Sequence, residues 1–102
     1  MLILATSGCG STEDENTDEP ILDSNTVIIE DYKYKPAEIT IKSGETITWI
    51  NKDGAGHTAT GDSFDSGLLG RDKSYKQTFD EVGTFDYICT PHPYMKGKVI
   101  VQ

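Results

Sequence analysis

Three side chains with metal-binding atoms, Cys89, His92 and Met95, fall within one run, Cys89-Thr90-Pro91-His92-Pro93-Tyr94-Met95. Pro91 and Pro93 remove conformations from the unfolded segment and preset its path. A fourth donor, His57, lies upstream, directly after Gly54-Ala55-Gly56. Each residue has a duller role when taken singly: a cysteine is usually a small buried hydrophobe, and a methionine usually fills core space. A lone histidine is more often a surface or hydrogen-bonded residue than a ligand. Taken together they are harder to dismiss. His57 and His92 are the only two histidines, Met95 is the only methionine besides Met1, and Cys89 is the only cysteine besides Cys9. Two imidazoles and a thiolate in one plane, with a weak axial thioether, form the donor set of blue-copper sites that pass single electrons. Sulfur favours Cu(I) and imidazole serves both oxidation states, so one set can hold either ion with little rearrangement. Zinc fits less well, because methionine is a poor zinc ligand and structural zinc sites prefer paired Cys-x-x-Cys or His-x-x-x-His spacing.

Four donors scattered over the chain need a rigid frame to bring them together. From Thr26 onward the sequence consists of short β-type runs separated by Gly, Asp, Asn and Pro. Strands are predicted at 26–30, 38–42, 46–50, 74–79, 84–89 and 98–102, with further short ones at 57–61 and, more weakly, 64–69. Residues 32–36 read as an extended linker, since Pro36 disfavours helix at Lys35. Ile39 and Ile41 share a face, as do Ile47 and Trp49, and as do Phe85, Tyr87 and Cys89. No apolar stripe of helical period is present. Seven to eight short strands with frequent turns predict an all-β, Greek-key β-sandwich.

The chain of 102 residues carries a formal net charge of −8, and its distribution matters more than its sum. Six of the seventeen acids lie between residues 13 and 23 with no base among them, which leaves eleven acids against nine bases elsewhere, a net of −2. No clustered basic patch of the kind that binds nucleic acid is present. Residues 10–25 therefore read as an acidic, solvated tether ahead of a nearly neutral domain at 26–102. Residues 1–9 read as a processing segment: Leu2–Ala5 is apolar, small residues follow, and Cys9 comes next. That order resembles a bacterial lipoprotein signal, which implies export and possible membrane attachment through a lipidated Cys9. The apolar run is too short to span a bilayer. With separate explanations for Cys9 and Cys89, a disulfide between them is not expected.

From Thr26 to Gln102 the chain resembles the cupredoxins, and among them the amicyanin-like and short plastocyanin-like forms. The resemblance rests on YKPAEITIKSGETITWINKDGAGHT, on FDSG with the later GTFDYIC, and on CTPHPYMKGKVIV, whose Cys-x-x-His-x-x-Met spacing matches the short-loop form. It implies one copper ion held by His57, Cys89, His92 and Met95, and a Greek-key sandwich with the metal near one end. It also implies one-electron exchange with redox partner proteins docking near His92, in the periplasm or another extracytoplasmic space, by a monomer that is not an enzyme. Thr58 stands where many members carry an asparagine that helps fix the cysteine loop. Pro91, Pro93, Tyr94 and Gly54–Gly56 are the candidate docking collar, with Lys52, Lys96 and Lys98 as candidate steering charges. The alternative is a copper-binding or delivery protein; those tend to use several methionines or paired cysteines.

Overall fold

A computed structural model describes residues 25–102, and the segments read above as a processing signal and most of the tether lie outside the described residues. Eight strands form two mixed sheets. The first sheet has β1 (Thr26–Glu30), β2 (Lys33–Lys35), β4 (Glu45–Asn51) and β6 (Ser74–Phe79) in the order β2-β1-β4-β6. The second has β3 (Glu38–Ile41), β5 (Thr60–Gly61), β7 (Gly83–Cys89) and β8 (His92–Val101) in the order β3-β8-β7-β5. Alternation of side chains decides what lies between them. Val27 and Ile29 face inward from β1, Ile47 and Trp49 from β4, Ile39 and Ile41 from β3, and Val99 and Val101 from β8. Full burial of each such aliphatic side chain contributes about 1.5–3 kcal/mol. Trp49 anchors the middle, stacked on Phe64 and edge-on to Tyr87. On β7 the same inward alternation continues from Tyr87 to Cys89. The thiol thus emerges at one end of the core.

The sandwich expected from the sequence is the fold observed, but four elements differ. The stretch at 32–36 is not a linker. Its centre is β2, which pairs with β1 in a hairpin whose register, Glu30 opposite Lys33, leaves a two-residue turn of Asp31 and Tyr32. Both turn residues are left-handed, with φ of 58° and 57°. Such turns normally use Asn-Gly or Asp-Gly. A tyrosine held there costs about 1–2 kcal/mol relative to ordinary backbone.

The last strand begins at His92, well before the predicted 98. Pro93 hides it from sequence reading, yet proline is tolerated because β3 pairs only with residues 98–101 of β8, leaving the N-terminal half of β8 as an edge. The β7–β8 register also shifts between Ile88 and Cys89, so that Ile88 faces Lys96 while Cys89 faces His92. This irregularity takes up Pro93, Tyr94 and Met95. Finally, the weak strand at 64–69 consists only of isolated bridges, Thr60 to Asp65 and His57 to Leu69, and the strand expected at 57–61 shrinks to Thr60–Gly61.

Candidate metal centre

Cys89 ends β7 and His92 opens β8, with only Thr90 and Pro91 between them as the turn. This tight connection brings His92 Nδ1 to 3.5 Å from Cys89 Sγ. His57 arrives from the other side, through a loop that Asn51 organises. The Asn51 amide, fully buried, donates to the carbonyls of Ala55 at 2.9 Å and Leu69 at 2.7 Å and accepts from the Asp53 N–H at 2.8 Å. The backbone of His57 is then fixed by reciprocal hydrogen bonds with Leu69. Its ring is fully buried, with Nδ1 at 3.6 Å from Cys89 Sγ.

These three donor atoms all lie within 4.8 Å of one another. Metal–sulfur and metal–nitrogen bonds of about 2.3 and 2.0 Å, opened to between tetrahedral and trigonal angles, place sulfur and nitrogen about 3.5–3.7 Å apart. Both observed sulfur–nitrogen separations fall in that interval, so a single ion fits between the three atoms. Met95, the fourth expected donor, is buried at 3% exposure on β8, on the inward side of the same strand that His92 opens.

The surroundings prepare the donors. The Nε2 of His57 lies 2.8 Å from an oxygen of Asp53. A carboxylate accepts only, so Nε2 carries the proton and the Nδ1 lone pair faces the cluster. Burial pushes the Asp53 carboxyl up, but the backbone N–H groups of Tyr32 and Asp31, together with His57, outweigh it and hold the pKa below the ordinary value. The Thr58 N–H donates to Cys89 Sγ across 3.4 Å and helps fix the position of the sulfur. Nearby, Tyr34 donates its hydroxyl to the Thr58 carbonyl, and burial drives its pKa upward.

Thr58 ties the His57 segment to the cysteine turn through its side chain as well as its backbone. Its hydroxyl accepts the Thr90 N–H at 2.9 Å and lies 2.9 Å from the Thr60 hydroxyl, which itself reaches Asp65 at 3.0 Å. Backbone and side chain of one residue thereby staple the His57 segment to the cysteine turn. Substituting Thr58→Val keeps the shape but orphans the Thr90 N–H. The expected loss is about 1–3 kcal/mol of stability, read as a fall in Tm of the metal-free protein, with Thr58→Ser close to wild type. Equal melting of the valine and wild-type proteins would show the staple to be idle.

Sequence reading named His57, Cys89, His92 and Met95 as candidate donors but singled out none of Asn51, Asp53 and Tyr32. An acid four residues ahead of a histidine was a usable signal for Asp53; Tyr32 offered none. The ring of Tyr32 stands edge-on to both imidazoles, 4.9 Å from each. Of the residues expected in the collar, Pro91, Pro93 and Tyr94 are exposed around the half-buried His92, whereas Gly56 is covered by Leu68, itself exposed at 70%. Of the candidate steering charges, Lys52 is instead paired with Asp72 at 3.0 Å.

A β-sandwich with a buried Cys-His-His cluster at one end defines a small copper-site protein. Residues 23–102 match the family described as copper binding proteins of the plastocyanin/azurin family, and the chain belongs to that family. It is 42% identical to amicyanin of Paracoccus versutus, over 78% of this chain and 66% of that protein. Against amicyanin-alpha of Methylorubrum extorquens the identity is 35%, over 96% and 88% of the two chains. The crystal structure of Paracoccus versutus amicyanin superposes with a TM-score of 0.71 at 41% identity, covering 78% of this chain and 82% of that one. The chain thus spans just under two thirds of the Paracoccus versutus relative it matches in sequence.

Proposed function

We propose that His57, Cys89, His92 and Met95 bind one copper ion and that the domain at 26–102 is a one-electron carrier rather than an enzyme. The observation that carries this reading is the pair of sulfur–nitrogen separations, 3.6 and 3.5 Å, inside a cluster with a buried thiol and two imidazoles. Bound copper would supply a centre that accepts and returns one electron. The residues do the rest. Asp53 keeps the His57 lone pair inward, the Thr58 N–H and hydroxyl hold Cys89 and its turn, and a β-sheet frame limits rearrangement between oxidation states. Cys89 offers a covalent path into β7, and His92, the more exposed imidazole, is the port for a partner seated on Pro91, Pro93 and Tyr94. Weak redox encounters use small contact areas, which suits this patch. The working unit is a monomer, exported and tethered by residues 10–25 through a lipidated Cys9; the order of residues 1–9 supports that part alone.

The test is copper loading. Residues 24–102 with one equivalent of Cu(II) should show an intense visible cysteine-to-copper band and reversible one-electron voltammetry. A colourless protein that reduces and traps Cu(I) would replace the carrier reading with copper delivery.

A further inference from the structure

Tyr32 is the least expected residue of the site, on three independent observations. It occupies the second position of a two-residue turn with φ of 57°, where glycine is the ordinary choice and a bulky side chain is rare. Its backbone N–H and that of Asp31 donate to the two carboxylate oxygens of Asp53, at 3.0 and 2.9 Å. One of those oxygens also holds His57 Nε2 at 2.8 Å. Its ring then completes a triangle with the two imidazoles: Tyr32 to His57, Tyr32 to His92 and His57 to His92 are each 4.9 Å between centroids. Backbone strain of this kind persists only where the surroundings over-determine it, and it gathers at functional sites. Local sequence rules are broken here for a side chain that the turn itself does not need.

From this we infer that Tyr32 is a positioning residue. Asp53 fixes the β1–β2 turn to His57, and the turn presses the Tyr32 ring against His92, so that His92 keeps its Nδ1 toward Cys89 before any metal arrives. His92 has particular need of such a brace. It lies at a turn, half exposed, and its Nδ1 is already committed to the cluster. His57, in contrast, is enclosed on all sides and anchored by Asp53. The Tyr32 ring, at 42% exposure, is both the brace and part of the outer surface over the site. This role rests on the copper reading only for its purpose; the preset geometry itself belongs to the metal-free protein.

Tyr32→Gly separates bracing from folding, because glycine suits the left-handed turn better than tyrosine does. The metal-free variant is expected to melt at or above the wild-type temperature. Its His92 ring protons should lose their contacts to residue 32 and to His57 in NMR spectra and average over more than one orientation. After loading, Cu(I) release to a chelator should accelerate about tenfold, and Tyr32→Phe should restore both readouts to within about twofold of wild type. His92 signals and Cu(I) release unchanged in the glycine variant would overturn the inference. So would a loss of melting temperature in the glycine variant, which would make the ring a structural prop. A wild-type protein that takes no copper would sink the proposed function instead, while the NMR comparison of metal-free proteins would still judge the brace.

Discussion

Gly97→Ala is expected to lower the melting temperature of the metal-free domain by about 12–24 °C, corresponding to about 3 kcal/mol. Gly97 lies on β8 directly opposite Tyr87 of β7. A Cβ at this position would sit 2.2 Å from Tyr87 Cζ and 2.4 Å from its hydroxyl oxygen. Neither neighbour can yield. Tyr87 is 2% exposed, its ring wedged edge-on between Trp49 and Tyr34. Its hydroxyl and the Trp49 indole nitrogen lack a hydrogen bond of normal geometry. The indole is nevertheless near enough to pull the phenol pKa partly back, while burial pushes it up to about 12. The clash is with the ring rather than with the hydroxyl alone. Tyr87→Phe should therefore fail to rescue Gly97→Ala, whereas Tyr87→Leu should recover part of the loss and show strong coupling in the double-mutant cycle. Thermal melts of the four proteins decide it. Rescue by phenylalanine would mean that only the hydroxyl end is crowded. Because Tyr87 lies two residues from Cys89 on the same inward face, this packing also sets where the thiol emerges.

What could be read from the sequence, and what could not, follows from the range of the interactions. The donors near the C-terminus are neighbours along the chain, so the spacing of Cys89, His92 and Met95 was visible without a fold. Ile47 with Trp49, and Tyr87 with Cys89, were legible because a strand repeats every two residues. The β1–β2 hairpin was not, since Tyr32 stands where turn chemistry calls for glycine and its reason lies 25 residues downstream at His57. The early start of β8 was masked by Pro93, whose acceptability depends on β3 being too short to reach it. Asn51 acts on a loop that exists only after β4 has packed, and nothing local marks it as a residue that will be buried, whereas Asp53 is set apart only by its spacing of four residues from His57. Lys52 has a partner that spacing could not show. It looked like a steering charge but is paired with Asp72, an exposed pair of the kind worth at most about 1 kcal/mol.

Cys89→Ser should separate the frame from the chemistry. The side chain is fully buried and small, and the Thr58 N–H that now points at its sulfur can donate to a serine oxygen instead. The metal-free variant should therefore fold cooperatively, with a loss of about 1–2 kcal/mol, the range for a buried polar group with an imperfect partner. Its effect on copper should be far larger. A serine hydroxyl stays protonated at neutral pH and is a hard donor, so the cluster loses its anion and its strongest attraction for Cu(I) at once. Outer partners of metal ligands already change affinity by about 10–100-fold when removed, and loss of the ligand itself should exceed about a hundredfold in Cu(I) affinity. The intense visible band of the Cu(II) protein should vanish with the sulfur. Melting curves supply a further readout, because a ligand at a thousand times its Kd stabilises a folded protein by about 4 kcal/mol. Wild-type protein should gain that increment from Cu(I), and the serine variant should gain almost none at the same concentration. A serine variant that kept the colour, or that Cu(I) still stabilised as strongly as wild type, would place the ion away from Cys89. The imidazoles of His57 and His92 would then have to meet it elsewhere, which the burial of His57 against Asp53 and the cysteine leaves no direction for.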